Sequence, residues 1–357
     1  MIDRPLNFAC FSVLIKFYAQ IWAVYQEAPS VTLPLSSLRA FLLDYRPENQ
    51  TRPKRVGILC SDAGFNTIDL LHLQDTLSLE GRCPFEIVFF FSDNNDYRNY
   101  SNYFKGQSRY YEKVRPDLEN FDVRETLLKR GIFSATLDID DFYRSKGIPS
   151  KNDVNTPTSQ RGEIRDQYYK EVEKIIGDFE KEKGAIDFFV NDTYLSIITG
   201  KLLDRRIINC HWGDLTKANG ENRFFTGYHG VLKSMQYREQ ELYSTIHFVN
   251  HVVDGGRILF RSPPFHVDYQ RDVKFGFPFA GMSNDEVVFY INDPQNRETS
   301  LLLEALYEAY LRLYVDSDML SLATLAVSKD FLDARHIIER LSGKSVCEAE
   351  HPYILLE

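Results

Sequence analysis

An open, mostly parallel α/β sheet is the fold class the sequence predicts, and three observations predict it. First, Arg55-Val56-Gly57-Ile58-Leu59-Cys60 is an apolar run that breaks into the small-residue loop Ser61-Asp62-Ala63-Gly64-Phe65-Asn66. A helical start follows at Thr67-Ile68-Asp69-Leu70-Leu71, completing a strand-loop-helix unit. Second, short β-rich apolar runs recur along the chain with helical stretches between them. Third, the residues from Arg161 to Lys183 form one long, charged stretch with amphipathic spacing, the length a crossover helix needs. Alternating strands and helices build parallel sheets, and ligands gather at the carboxyl ends of their strands.

The elements follow in order. Phe85 to Phe91 reads as the second strand and ends at Ser92-Asp93-Asn94. Asp96 to Glu119 is an insertion rich in Tyr and Arg, residues suited to stacking and anion contacts and equally common in surface elaborations. Gly131-Ile132 followed by Ala135-Thr136-Leu137 reads as a third strand, and Ile186-Asp187-Phe188-Phe189-Val190 as the strand after the long helix. Ile207-Ile208-Asn209-Cys210-His211 alternates like a buried strand end, and so does Thr245-Ile246-His247-Phe248-Val249 before the turn Asp254-Gly255-Gly256.

The 357 residues, 43% hydrophobic and 26% charged, can bury a large core in one enlarged domain or two. The expected division is an N-terminal helical extension and linker at 1–54, a catalytic domain at 55–267, and a C-terminal helical extension at 268–357. In the first, Phe8 to Tyr25 is apolar but interrupted by Lys16 and Gln20, which favours a buried helix over a membrane anchor. Asp3 ahead of it and the lack of a small-residue cleavage site argue against a signal peptide. Arg46 to Pro53 is a polar, proline-flanked linker. In the third, after the aromatic turn segment Phe275 to Gly281, Ser300 to Val315 and Met319 to Leu341 show helical spacing, as a cap on the chain's own core or a homodimer surface. Five scattered cysteines without a CxxC pair fit a reducing, cytoplasmic setting. A net charge of −9 disfavours a sequence-independent nucleic-acid grip.

Asn209 and His211, two apart on a strand, share a face. An amide and an imidazole there can grip one carbonyl oxygen, and Asp254 nearby in sequence can orient the imidazole or take a proton. Cys210 between them points to the opposite face, which excludes it as the nucleophile of the same site. Read alone, Asn-x-His is a strand end with satisfied polar groups and Asp-Gly-Gly is a turn. His247 and His251 are four apart, a metal pair if helical; strand alternation separates them, and no Glu stands in the HExxH position, so no metal is expected.

Taken in order, Asn209-x-His211, Gly227-Tyr228-His229, Thr245-Ile246-His247-Phe248-Val249 and Asp254-Gly255-Gly256 resemble the 10-formyltetrahydrofolate-dependent formyltransferases, and glycinamide ribonucleotide formyltransferase most closely. The resemblance runs from about Arg55 to Val267. It implies a Rossmann-like sheet of the formyltransferase type, and Asn209, His211 and Asp254 as the catalytic trio. It also implies 10-formyltetrahydrofolate as co-substrate, held by Tyr194, Leu195, Ile197, Ile198 and Val253. Ser61, Asp62, Gly64, Asn66 and His229 fall where the family meets its acceptor, and His247 supports the trio from behind.

Two departures bear on the acceptor. The family's His-Pro-Ser-Leu-Leu-Pro run is His211-Trp212-Gly213-Asp214-Leu215 here, followed by a polar segment to Arg223. The first loop lacks the Gly-Asn-Gly-Ser pattern, and Asp62 repels a phosphate. The expected acceptor is therefore a small-molecule amine or hydroxylamine, such as an amino sugar, an amino acid or a natural-product intermediate. Two other functions compete: a 10-formyltetrahydrofolate hydrolase using water, and a catalytically silent folate- or nucleotide-binding module.

Overall fold

The computed structural model describes residues 42–43, 45, 50–61, 64–94, 123–194, 196–219, 222–227, 229–262, 264–311 and 315–331. The expected helix at Phe8 to Tyr25, the insertion at Asp96 to Glu119, the first half of the linker and the end of the expected helix at Met319 to Leu341 lie outside them.

The sheet has seven strands: β1 (Lys54–Cys60), β2 (Phe85–Ser92), β3 (Phe133–Thr136), β4 (Phe188–Asp192), β5 (Ile207–Trp212), β6 (Ser244–Phe248) and β7 (Ile258–Arg261). Their spatial order is β7-β6-β5-β4-β1-β2-β3. The pairs among β1 to β5 are parallel, while β6 and β7 add antiparallel at one edge. This is the open, mostly parallel sheet the alternation predicts. The strand ends differ from the expected ones by a residue or two, because apolar runs mark where a strand is buried and not where its ladder stops.

Alternation on the strands builds two cores, one on each face. Val56, Ile58 and Cys60 of β1 join one cluster, while Leu59 belongs to the other. The second cluster receives α3 (Ile139–Ser145) and α4 (Thr158–Lys183), while α2 (Val123–Lys129) buries Val123 and Leu127 in the first. On α4, Tyr168, Val172, Ile176 and Phe179 recur every three or four residues, so one stripe is buried and the charged remainder faces water. The first cluster receives α1 (Phe65–Leu79), α5 (Gly230–Gln236), α6 (Asn284–Asn292), α7 (Arg297–Leu311) and α8 (Ser317–Ser328). The described part of the C-terminal segment thus packs into the same core as the sheet. Its Lys329 Nζ also donates to the carbonyl of Leu43 at 3.2 Å. Among the described residues, no helix is long and apolar enough to cross a membrane.

One buried acid makes stability depend on pH. Asp272, at the end of the one-turn helix Tyr269–Asp272, accepts a hydrogen bond from Tyr307 at 2.7 Å, and burial pushes its carboxyl up to about 6. Between pH ~4 and ~6 the folded chain keeps a proton that the unfolded chain has released, so this group lowers stability as pH rises through that window. Asp272→Asn should remove a contribution of roughly 3 kcal/mol to that slope, read from urea midpoints against pH. An unchanged profile would show that Asp272 titrates normally.

Candidate active site

The carboxyl end of β5 and the neighbouring edge strand set the site. Asn209 of β5 lies in register with Asn191 on β4 and opposite His247 on β6, and His211 lies opposite Thr245. Asn209 and His211 therefore share a face, with Cys210 between them directed away. Its thiol meets Ser244 and Asp316, and burial raises its pKa well above the ordinary thiol value. A thiol held protonated there cannot be a nucleophile.

His211 is held at both ring nitrogens. Nε2 lies 2.6 Å from the carbonyl of Phe225, which can only accept, so Nε2 carries a proton. Nδ1 faces Asp254 Oδ2 at 3.4 Å and is the nitrogen left on the pocket side. Glycines make room for the ring: a Cβ on Gly230 would stand 2.2 Å from the Trp212 carbonyl and 3.1 Å from His211 Nε2, and one on Gly213 would stand 2.9 Å from Nε2. Gly213 and Gly230 are thus needed for packing against His211.

Asp254 sits in the left-handed region at φ 53°, which Asp tolerates better than most residues. The backbone N–H of Gly227 donates to its Oδ2 at 2.8 Å, and Arg223 donates to its main-chain carbonyl. Its Oδ1 lies 3.6 Å from His247 Nε2. The two glycines that follow are required by the turn, since a Cβ on Gly256 would fall 1.6 Å from the Phe248 carbonyl. Gly256→Ala must therefore displace the Asp254 turn. It is expected to cost roughly 2–4 kcal/mol in urea unfolding along with most activity, and a loss under ~0.5 kcal/mol would show that the turn yields freely.

His247 is 2% exposed and acts on the other side of the trio. Its Nδ1 lies 2.9 Å from the Phe248 carbonyl, so Nδ1 carries the proton and Nε2 accepts from Asn209 Nδ2 at 3.1 Å. Burial pushes its pKa down to about 4 against the pull of Asp254. The unfolded ring gains a proton below pH ~6.5 that the folded ring refuses until ~4, so His247 lowers stability as pH falls through that interval. This opposes the Asp272 slope. A His247→Gln variant should therefore lose stability less steeply than wild type on acidification from pH ~6.5 to ~4, read from urea midpoints; the same steepness in both would place the titration elsewhere.

Asn209, His211, His247 and Asp254 all line one pocket of about 340 Å³. Its remaining walls come from the loop after β4 and the turn after β6. Tyr194, Ile197 and Ile198 line it on one side and Val252 and Val253 on the other, with Ile197, Val252 and Val253 about half exposed. The Tyr194 ring is packed in the second core near Phe91, its hydroxyl 3.3 Å from that of Tyr169, while Asn191 clasps the Tyr194 backbone N–H at 2.5 Å. The segment is a loop leading to a 3-10 turn, Gly200–Asp204.

The other expected acceptor residues are not among those lining this pocket. Asn66 donates its amide to Asp192 at 2.9 Å, Gly64 adopts a left-handed φ of 67° ahead of α1, and Ser61 lies at the end of β1. His229 Nδ1 pairs with Glu304 of α7 at 2.7 Å. Asp62 and Leu195 lie outside the described residues. The Phe225 carbonyl, the Gly227 amide and Gly230 escaped sequence reasoning; only the glycine run Gly227-x-x-Gly230 hinted at them. Among the described residues, no group of three or more His, Cys, Asp or Glu side chains is placed to hold a metal ion.

No family model matches the chain. A curated relative does: phosphoribosylglycinamide formyltransferase from Haemophilus influenzae (strain ATCC 51907 / DSM 11121 / KW20 / Rd) is 31% identical over 109 residues, which are 29% of this chain. Over those residues the chain is similar to that enzyme. The chain spans about half, 48%, of that relative's length. Among solved structures, phosphoribosylglycinamide formyltransferase from Streptococcus pneumoniae TIGR4 is 18% identical with a TM-score of 0.35, covering 72% of this chain and 99% of that one. A formyltetrahydrofolate deformylase from Pseudomonas putida KT2440 is 15% identical with a TM-score of 0.38, covering 81% of this chain and 67% of that one.

Proposed function

We propose that the chain transfers the formyl group of 10-formyltetrahydrofolate to the amine or hydroxylamine of a small molecule. One observation carries this reading: Asn209, His211 and Asp254 converge on the wall of one pocket whose mouth is apolar. A flat ring with polar edges fits the wall formed by Tyr194, Ile197, Ile198 and Val253, and a volume of about 340 Å³ suits a small ligand.

The chemistry follows from the hydrogen bonds. A neutral amine attacks the formyl carbon, the C–N bond to the acceptor forms, and the carbonyl becomes an oxyanion. Asn209 Nδ2 spends one N–H on His247 Nε2 and keeps the other for that oxygen. His211, its Nε2 anchored on Phe225, presents Nδ1 toward the same space. With Nδ1 also protonated the ring is a cation, which the carboxylate of Asp254 at 3.4 Å stabilises. Asp254 takes the proton shed by the attacking amine, directly or through water. When the bond to N10 breaks, a proton returns to that nitrogen and tetrahydrofolate leaves. No metal enters any step.

The test is the absorbance change on tetrahydrofolate release, first without acceptor and then with amino sugars, amino acids, hydroxylamines and glycinamide ribonucleotide. Acceptor-dependent release supports the reading. Equal release with water alone points instead to a hydrolase, and binding of the folate with no release for any acceptor points to a silent binding module.

A further inference from the structure

In an open sheet, the crevice between strands whose connections run in opposite directions collects ligands, and a helix N-terminus in that crevice attracts anions. Here the crevice lies beyond the carboxyl ends of β1 and β4, and α1 begins in it. The helix has no side-chain cap of its own; its N-cap is Gly64. Asp192, the last residue of β4 and in register with Cys60, fills that role from across the crevice. Its Oδ2 accepts from the Thr67 backbone N–H at 2.8 Å and from Thr67 Oγ1 at 2.6 Å, and its Oδ1 accepts from Asn66 Nδ2 at 2.9 Å and Thr193 Oγ1 at 3.4 Å. Burial raises the carboxyl of Asp192 above its ordinary value, and the N–H donor that meets each oxygen favours the ionised form against that burial. The residue is 0% exposed. A second buried acid, Asp93 at the end of β2, accepts from Ser196 beside the pocket.

The carboxylate of Asp192 therefore holds the donors that a phosphate would use, and it carries the same sign of charge. We propose that Asp192 closes this crevice to phosphate, so that the amine acceptor of the neighbouring pocket carries no phosphate or comparable anion. This rests on the formyl-transfer reading, and it deepens that reading by naming the acceptor as an unphosphorylated amine. It also predicts that phosphoribosylglycinamide, the compound after which the Haemophilus influenzae relative is named, is a poor acceptor here.

The experiment is calorimetric titration of the full chain with inorganic phosphate, and with an amino sugar beside its phosphate ester. The wild type should show no saturable phosphate binding and should favour the unphosphorylated amine by roughly 100-fold, the scale of a close like-charge contact. Asp192→Ser, which frees the Thr67 N–H, should gain phosphate affinity by a similar factor. Saturable phosphate binding by the wild type, or preference for the phosphate ester, overturns the proposal. A folded Asp192→Ser chain with no gained affinity overturns the role of Asp192. If that variant does not fold, Asp192→Asn, near in shape but uncharged, is titrated in its place, and the wild-type preference decides by itself. Absence of tetrahydrofolate release with every acceptor would remove the formyl-transfer reading while leaving the phosphate titration to stand.

Discussion

Replacing Asn209 by alanine is expected to lower turnover by roughly 10²–10³-fold, the usual cost of removing one donor from an oxyanion site. The fold should survive, because Asn209 is only partly buried and its amide bonds to His247 across a ladder that main-chain groups already hold. The loss belongs in kcat more than in KM, since the free N–H meets an oxygen whose charge develops only in the transition state. Turnover within a few-fold of wild type in a folded Asn209→Ala protein would remove Asn209 from the oxyanion site. His247 gives the same role a second readout. Its Nε2 fixes which way the Asn209 amide faces, so His247→Gln should retain more activity than His247→Ala.

Asp254→Asn is expected to be the more damaging change, lowering acceptor-dependent tetrahydrofolate release by about 10³-fold or more. The carboxylate stands between two imidazoles, 3.4 Å from His211 Nδ1 and 3.6 Å from His247 Nε2, with a Gly227 N–H on one oxygen. An amide keeps the shape of the turn, and Asn also tolerates the left-handed φ, so stability should change little. What disappears, in the proposed mechanism, is the negative charge that faces His211 and receives the acceptor's proton. Unchanged turnover in a folded Asp254→Asn protein would leave Asp254 as a turn residue and no more.

Much of this site was legible because side chains announce themselves through parity and punctuation. Asn209 and His211 had to share a face once Ile207 to His211 was read as a strand, and Cys210 had to leave it. Asp254 was marked by the two glycines after it, and the structure supplies the reason in the approach of Gly256 to the Phe248 carbonyl. The parallel sheet followed from the alternation of runs. What stayed hidden was contributed by main-chain atoms or by distant partners. The Phe225 carbonyl and the Gly227 amide orient His211 and Asp254, yet any residue carries such groups, so no residue type reveals them. The role of Asp192 had no local sign, because its partners, Asn66 and Thr67, lie more than a hundred positions earlier. His229 looked like an acceptor contact because nothing local foretold Glu304, 75 residues later.

The C-terminal helices carry a consequence for how the protein is made. Strand β5 has its reactive face toward the pocket and its other face toward α8, where Asp316 accepts from Ser244 at 2.6 Å and also from the Trp212 indole. Leu320, Ala323 and Val327 close the same core. A nascent chain released as far as residue 267 would hold every residue of the trio and still lack the wall behind the strand that carries two of them. Assembly of the pocket therefore waits for α8 to leave the ribosome. A polypeptide stalled or clipped before Ser328 should expose that apolar surface to chaperones and proteases before the pocket is complete.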